Sequence, residues 1–146
     1  MCSSDLHALR LATDSGLAPD LLLGLATHQA ARILRLPARG SLAPGAVADL
    51  VIVRDRGGEP AASVVGCSRS QLRAVIRDGK PRIADPDFAH WFDAAGIATL
   101  PVLLDGCPKL LDAALADPQV LALEPGVQLL SPHTHAATRV AFGAAQ

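Results

Sequence analysis

The sequence predicts an α/β chain in two unequal parts: helices over Leu6 to Leu36, then a small β-rich unit with added helices. Three observations carry this. Apolar residues recur at three and four residues through the first part. The β-branched run Ala48 to Val53, ADLVIV, breaks that period. Asp78-Gly79, between two short apolar runs, is the strongest two-residue hairpin signal in the chain.

In the first part Leu6, Leu9 and Thr13, then Leu22, Leu25 and Ala26, then Ala30, Ile33 and Leu34 trace a helical face. Ser15-Gly16 ends the first segment, and Pro19 suits the first position of the next. Gly24 with Ala26-Thr27 predicts a break or kink before the last helix, and Pro37 stops it. So apolar a set of helices should pack against something large. After Pro37, Gly40-Ser41-Leu42 leads to the Pro44-Gly45 turn and the ADLVIV strand. Gly57-Gly58 is a loop, Ala62 to Val65 and Leu72 to Arg77 read as strands, and Asp78-Gly79 returns the chain through Lys80 to Ile83. Pro81 marks that return strand as an edge. Asp85-Pro86 should cap a helix to about Ala95, burying Phe88, Trp91 and Phe92 on one face with Ala95. Ala98 to Leu104 reads as a strand ending in Asp105-Gly106, and Lys109 to Ala116 as a short helix. Val120 to Leu123 and Val127 to Leu130 read as strands around Glu124-Pro125-Gly126.

Composition narrows the function classes. Half the 146 residues are apolar and 18% charged, so a packed core is expected rather than disorder. Thirteen Lys+Arg against 14 Asp+Glu leave a net charge of −1, and one Trp, three Phe and no Tyr offer little stacking surface. Nucleic acid is therefore not an expected partner. No apolar run reaches the ~18 residues of a membrane span, and the N-terminus carries no basic region followed by an apolar stretch, so a cytoplasmic protein is expected. Cys2, Cys67 and Cys107 are far apart and form no CxxC pair, which suggests neither a disulfide framework nor a thiolate zinc site. Met1 to Leu6 read MCSSDL, and Cys-Ser-Ser-Asp-Leu is one frame of the common sequencing adapter TGC TCT TCC GAT CT. The expectation is that residues 1–6 are a scar joined to a truncated gene, the other reading being a true start with Ser4 or Asp5 as a helix cap.

Residues Leu25 to Arg54 read LATHQAARILRLPARGSLAPGAVADLVIVR, and Leu72 to Lys80 read LRAVIRDGK. This resembles the C-terminal signature of the metal-dependent amidohydrolase superfamily, in which a helix close to ATxNxAxxLGL leads into GxLxxGxxADLVVxD and a later VxxVxxDGK hairpin. The matching positions are Ala26-Thr27, Ala30 or Ala31, Leu34, Leu36, Gly40, Leu42, Gly45 and Ala48-Asp49-Leu50. The family asparagine near position 29 is Gln29 here. The resemblance spans about Ala8 to Ile83. It implies that residues 7–37 are the terminal helices of a (β/α)8 barrel, and residues 38–146 a β-sandwich-like domain with a C-terminal extension. It also implies a divalent metal, zinc above others, and a small-molecule substrate with a non-peptide carbon–nitrogen bond, both held by a barrel of roughly 250 residues that this length excludes. That missing barrel is the implied partner.

Candidate chemistry within the chain is sparse, and no catalytic, cofactor-binding or metal-ligating residue is expected in it. Asp49 at a strand start should fix a turn by accepting backbone N–H bonds. Asp5 is the one acidic residue near where the family's final aspartate would fall, but it lies within the suspected scar and follows no strand. Asp14, before Ser15-Gly16 at a helix end, reads as a surface turn residue. His133-x-His135 has the spacing of a metal pair, yet a catalytic zinc needs three protein ligands, and His7, His28 and His90 lie far off in sequence. Cys67 has no neighbouring His to activate it. Trp91 with His90 reads as core, and Arg69, Arg73, Arg77 and Arg82 as a solvated sheet face. The alternative function is a free-standing β-rich accessory or interaction domain; a third is a small zinc protein using His133 and His135.

Overall fold

The computed structural model describes residues 3–55 and 57–130. The helical part is α1 (Ser3–Asp14), α2 (Pro19–Gly24), a π-helical turn over Leu25–Gln29 and α3 (Ala30–Ile33). Gly16 closes α1 at φ 89°, its N–H on the Thr13 carbonyl at 2.9 Å, and Pro19 opens α2. The kink expected near Gly24 is the π turn itself. There the Thr27 hydroxyl donates to the Leu23 carbonyl at 2.6 Å, competing for an acceptor of the helix ladder. The helix ends at Ile33 and reverses at Arg35, φ 53°, ahead of Pro37.

The β part is one six-stranded sheet of order β1-β2-β3-β5-β4-β6 in which every neighbouring pair is antiparallel. Its strands are β1 (Leu50–Val53), β2 (Leu72–Arg77), β3 (Lys80–Ala84), β4 (Thr99–Leu104), β5 (Cys107–Asp112) and β6 (Val127–Leu129). Two hairpins build it. Asp78-Gly79 joins β2 to β3 and Asp105-Gly106 joins β4 to β5, all four residues left-handed with φ between 49° and 78°. That geometry matches the right-handed twist of the strands it connects, and Asp-Gly adopts it readily.

Several sequence expectations are corrected. Ala62 to Val65 is not a strand but part of helix α4 (Pro60–Val65), in which Pro60 takes the first turn and Ala61, Ser63 and Val65 are buried where α4 packs on α2. Burial overrides the β-branched preference of Val64-Val65. Lys109 to Ala116 is not a helix: Asp105-Gly106 turns the chain straight into β5, and only Ala113–Leu115 coils, as a 3-10 turn. Val120 to Leu123 is mostly helix α6 (Pro118–Ala122), because Asp117 accepts the Gln119 N–H at 2.8 Å as its N-cap. β3 is no edge strand, since β5 covers its far side; β5 pairs only with Ile83 and Ala84, however, so Pro81 meets no second ladder. In place of two stacked sheets, the described residues make one sheet backed by helices.

The main core joins Ala74, Ile76 and Ala84 to Phe92 of helix α5 (Ala89–Ala94), with Phe88, Trp91, Leu50 and Ile52 packed around them. Phe88, Trp91 and Phe92 thus face the sheet as expected, while Ala95 is exposed. A second cluster joins Leu6 of α1 to Cys67 and Leu72. Leu6 is only 3% exposed, so the segment set aside as a scar supplies a core side chain.

Candidate functional site

Asp49, expected to fix a turn, does so at long range. It accepts the Asp78 N–H at 2.8 Å, and Arg39 bridges Asp49 and Asp78, reaching the latter at 2.8 Å. The Asp78 N–H foremost, with the Arg39 guanidinium, holds the Asp49 carboxyl below the ordinary carboxylate range. On the same connector Gly40, φ +77°, lies so close to the π turn that a Cβ would sit 2.8 Å from the Thr27 carbonyl oxygen. Helices, strand entry and hairpin tip are thus tied at one joint.

A second polar cluster grows from two β-bulges. β1–β2 pairing passes from Ala74 to Leu72 across one step, and β2–β3 pairing from Ile83 to Pro81, which leaves Arg73 and Arg82 as the extra residues. Bulges re-aim side chains. Arg73 donates to Asp85 at 3.1 Å and to Asp87, with its guanidinium carbon 4.9 Å from the Phe88 ring centre. Arg82 reaches buried Asp112 at 2.7 Å. Lys109, 3% exposed, donates to Asp85 and to the Leu72 carbonyl. Asp85 therefore makes no helix cap; its carboxylate is used by Lys109 and Arg73.

The four arginines are not a solvated face. Only Arg77 is exposed; Arg69 lies on a 3-10 turn (Arg69–Gln71) and pairs with Asp105 and Glu124. Sequence reasoning missed Lys109 and Arg39. Lys109 shares the parity of Leu111 after an Asp-Gly turn, which is the signal that could have placed it inside.

His7, His28 and His90 are exposed on three separate elements, and Asp14 is exposed at the end of α1. Cys67 is buried. Asp5 lies within α1, and Cys2, His133 and His135 lie outside the described residues. Among the described residues no three His, Cys, Asp or Glu side chains gather as a metal site, and no helix is long and apolar enough to cross a membrane. The crevice beside Lys109, lined by Leu72, Ala74, Ile83, Ala84 and Leu104, has no room for a water-sized molecule. The polar clusters brace strands and turns.

No protein-family model matches the chain, and no solved structure matches it significantly. Curated relatives do. The chain is 41% identical over 86 residues to adenine deaminase 1 of Bradyrhizobium sp. (strain ORS 278), which covers 57% of this chain and 14% of that protein. It is 36% identical over 100 residues to adenine deaminase of Methanoregula boonei, covering 60% of this chain and 17% of that protein. Adenine deaminase of Geobacillus kaustophilus is 47% identical over 49 residues, 34% of this chain and 8% of that protein. The chain thus spans less than a fifth of the length of these relatives. Together with the ADLVIV and DGK motifs, which form β1 and the β2–β3 hairpin, these matches make the chain similar to part of these adenine deaminases and support its reading as a C-terminal fragment of an amidohydrolase-family protein.

Proposed function

We propose that this chain is the C-terminal, non-catalytic part of a cytoplasmic metal-dependent hydrolase that acts on a non-peptide carbon–nitrogen bond of a small molecule, a deaminase of the adenine type. The carrying observation is the likeness to adenine deaminases, 41% identical over 86 residues. In this reading the catalytic groups and the divalent metal, zinc, belong to a barrel encoded upstream. The described residues do not fit a metal, so no chemical step is assigned to them. Neither nucleic acid nor membrane is a partner.

The boundaries follow from the same proposal: residues 7–37 as barrel-flanking helices, 38–146 as the β domain with its extension, and 1–6 as a scar. Support for the helices comes from their surface. Leu25 and Ile33 on these helices, and Leu34 and Leu36 just past their end, are 45%, 74%, 66% and 44% exposed, apolar surface that the described residues leave uncovered. One observation favours the second reading, a self-sufficient accessory domain: Leu6 and Leu22 are buried within the chain.

The test is to sequence the source DNA upstream of codon 6 and to assay both products. The first reading expects an open frame carrying His-x-His, ammonia release from adenine by the extended protein with a divalent metal, and none by the 146-residue chain. Metal-dependent turnover by the short chain overturns it, as does an in-frame stop just upstream of Met1.

A further inference from the structure

The stretch from Asp117 to Leu130 has no fully buried side chain, and Val120, Leu123 and Leu129 are 58%, 82% and 48% exposed. Its backbone attachments to other elements, among the described residues, run along β4 and its turn. β6 pairs Val127, Gln128 and Leu129 with Leu104, Leu103 and Val102, the Leu130 N–H reaches the Pro101 carbonyl at 3.0 Å, and the Asp105 N–H reaches the Gly126 carbonyl at 2.8 Å. A further anchor comes from outside the stretch. Arg69 donates to both Asp105 oxygens at 3.1 and 2.6 Å, to Glu124 at 2.9 Å and to the Pro125 carbonyl at 2.5 Å. Gly126, φ +80°, lies flat on this pair, where a Cβ would run into Asp105 and the Arg69 guanidinium.

We propose that residues 117–130 form a strap latched by Arg69 over the β4 edge, which opens as a unit before the rest of the sheet when the latch is weakened. Segments that bury little apolar surface open locally at low cost. The latch is ionic and open to salt: the Arg69 side chain is 13% exposed, but Asp105 and Glu124 are 38% and 40% exposed. An open strap turns β4, in which Val102 is fully buried, from an interior strand into an edge with unpaired backbone groups. The device is thus a salt-sensitive gate on a strand-pairing edge.

Hydrogen–deuterium exchange on the whole chain tests it. Arg69→Gln should speed exchange over residues 124–130 by about tenfold or more and leave residues 72–84 unchanged. Gly126→Ala, which pushes on the latch from the strap side, should do the same. In the parent protein, raising sodium chloride from about 0.1 M to about 1 M shortens the screening length from about 10 Å to about 3 Å and should open the strap selectively. The Arg69→Gln strap should no longer respond to salt. If Arg69→Gln loosens the whole sheet, the parent salt series and Gly126→Ala decide. A strap indifferent to both, or one that always exchanges together with residues 72–84, overturns the proposal.

Discussion

Asp49 accepts the backbone N–H of Asp78 at 2.8 Å, joining the start of one strand to the tip of a hairpin 29 residues later. Asp78 is left-handed, φ 51°, so the carboxylate steadies a turn residue in a conformation that few side chains adopt. The bond gives an acidic residue just before Leu50 a structural role.

Acid should weaken this joint. The Asp49 carboxyl is held below its ordinary value, so its contribution is present above the unfolded pKa and is lost as pH falls through the folded one. Asp49→Asn keeps an acceptor for the Asp78 N–H but does not titrate. Thermal melts between about pH 6 and about pH 2 should show the parent losing more stability than Asp49→Asn below about pH 4. Parallel losses in the two proteins would show that the bond does not depend on the charge.

Glu59 behaves in the opposite sense. Its carboxyl, hydrogen-bonded to that of Asp20, is pushed above the ordinary range, because two neighbouring carboxylates resist full ionisation. A raised acid stabilises below the unfolded pKa, and that contribution is lost as pH rises through the folded value. Glu59→Gln should therefore raise the melting temperature slightly at neutral pH and leave it unchanged near pH 4. A loss at neutral pH would mean that the Asp20 carboxyl does not penalise the Glu59 charge.

Gly40 and Gly45 separate two effects of one substitution. Both are left-handed, φ +77° and +85°, but a Cβ on Gly40 meets Thr27 backbone whereas one on Gly45 meets nothing within 4 Å. Gly45→Ala should cost roughly 1–2 kcal/mol from backbone conformation alone. Gly40→Ala should cost more, by roughly another 1–3 kcal/mol for overpacking. Urea denaturation of the two variants checks the order; equal losses would remove the close approach as a constraint.

Lys109→Met should strip the charge that Asp85 holds inside the sheet. Breaking one side of a buried pair costs about 3–5 kcal/mol, and the loss here should fall at the lower end because Arg73 stays on Asp85. Asp85→Asn in the same background should then cost far less than it does alone, a coupling that a double-mutant cycle reads directly.

What the residues disclosed on their own was local. Asp78-Gly79 announces its hairpin because few dipeptides accept two left-handed residues in a row. Asp105-Gly106 carries the same signal, yet CPKLLDAA after it has apolar spacing that serves a helix as well as a strand; partner β4 decides. Pro60 could have marked α4, but the β-branched Val64-Val65 suggested extension, and only packing on α2 settles it. The ionic clusters were least legible: Lys109 finds Asp85 across 24 residues and Arg69 finds Glu124 across 55. Such distances leave no trace in periodicity.

Trp91 is the chain's single tryptophan, and there is no tyrosine. Its ring stands 4.5 Å from that of Phe88, centre to centre and inclined by 63°, on the helix that plugs the sheet with Phe92. Ultraviolet emission from this protein therefore originates at one seam. A red shift or a change in quantum yield reports α5 leaving the sheet, and light from this indole separates detachment of that helix from events at the far strands, with no label attached.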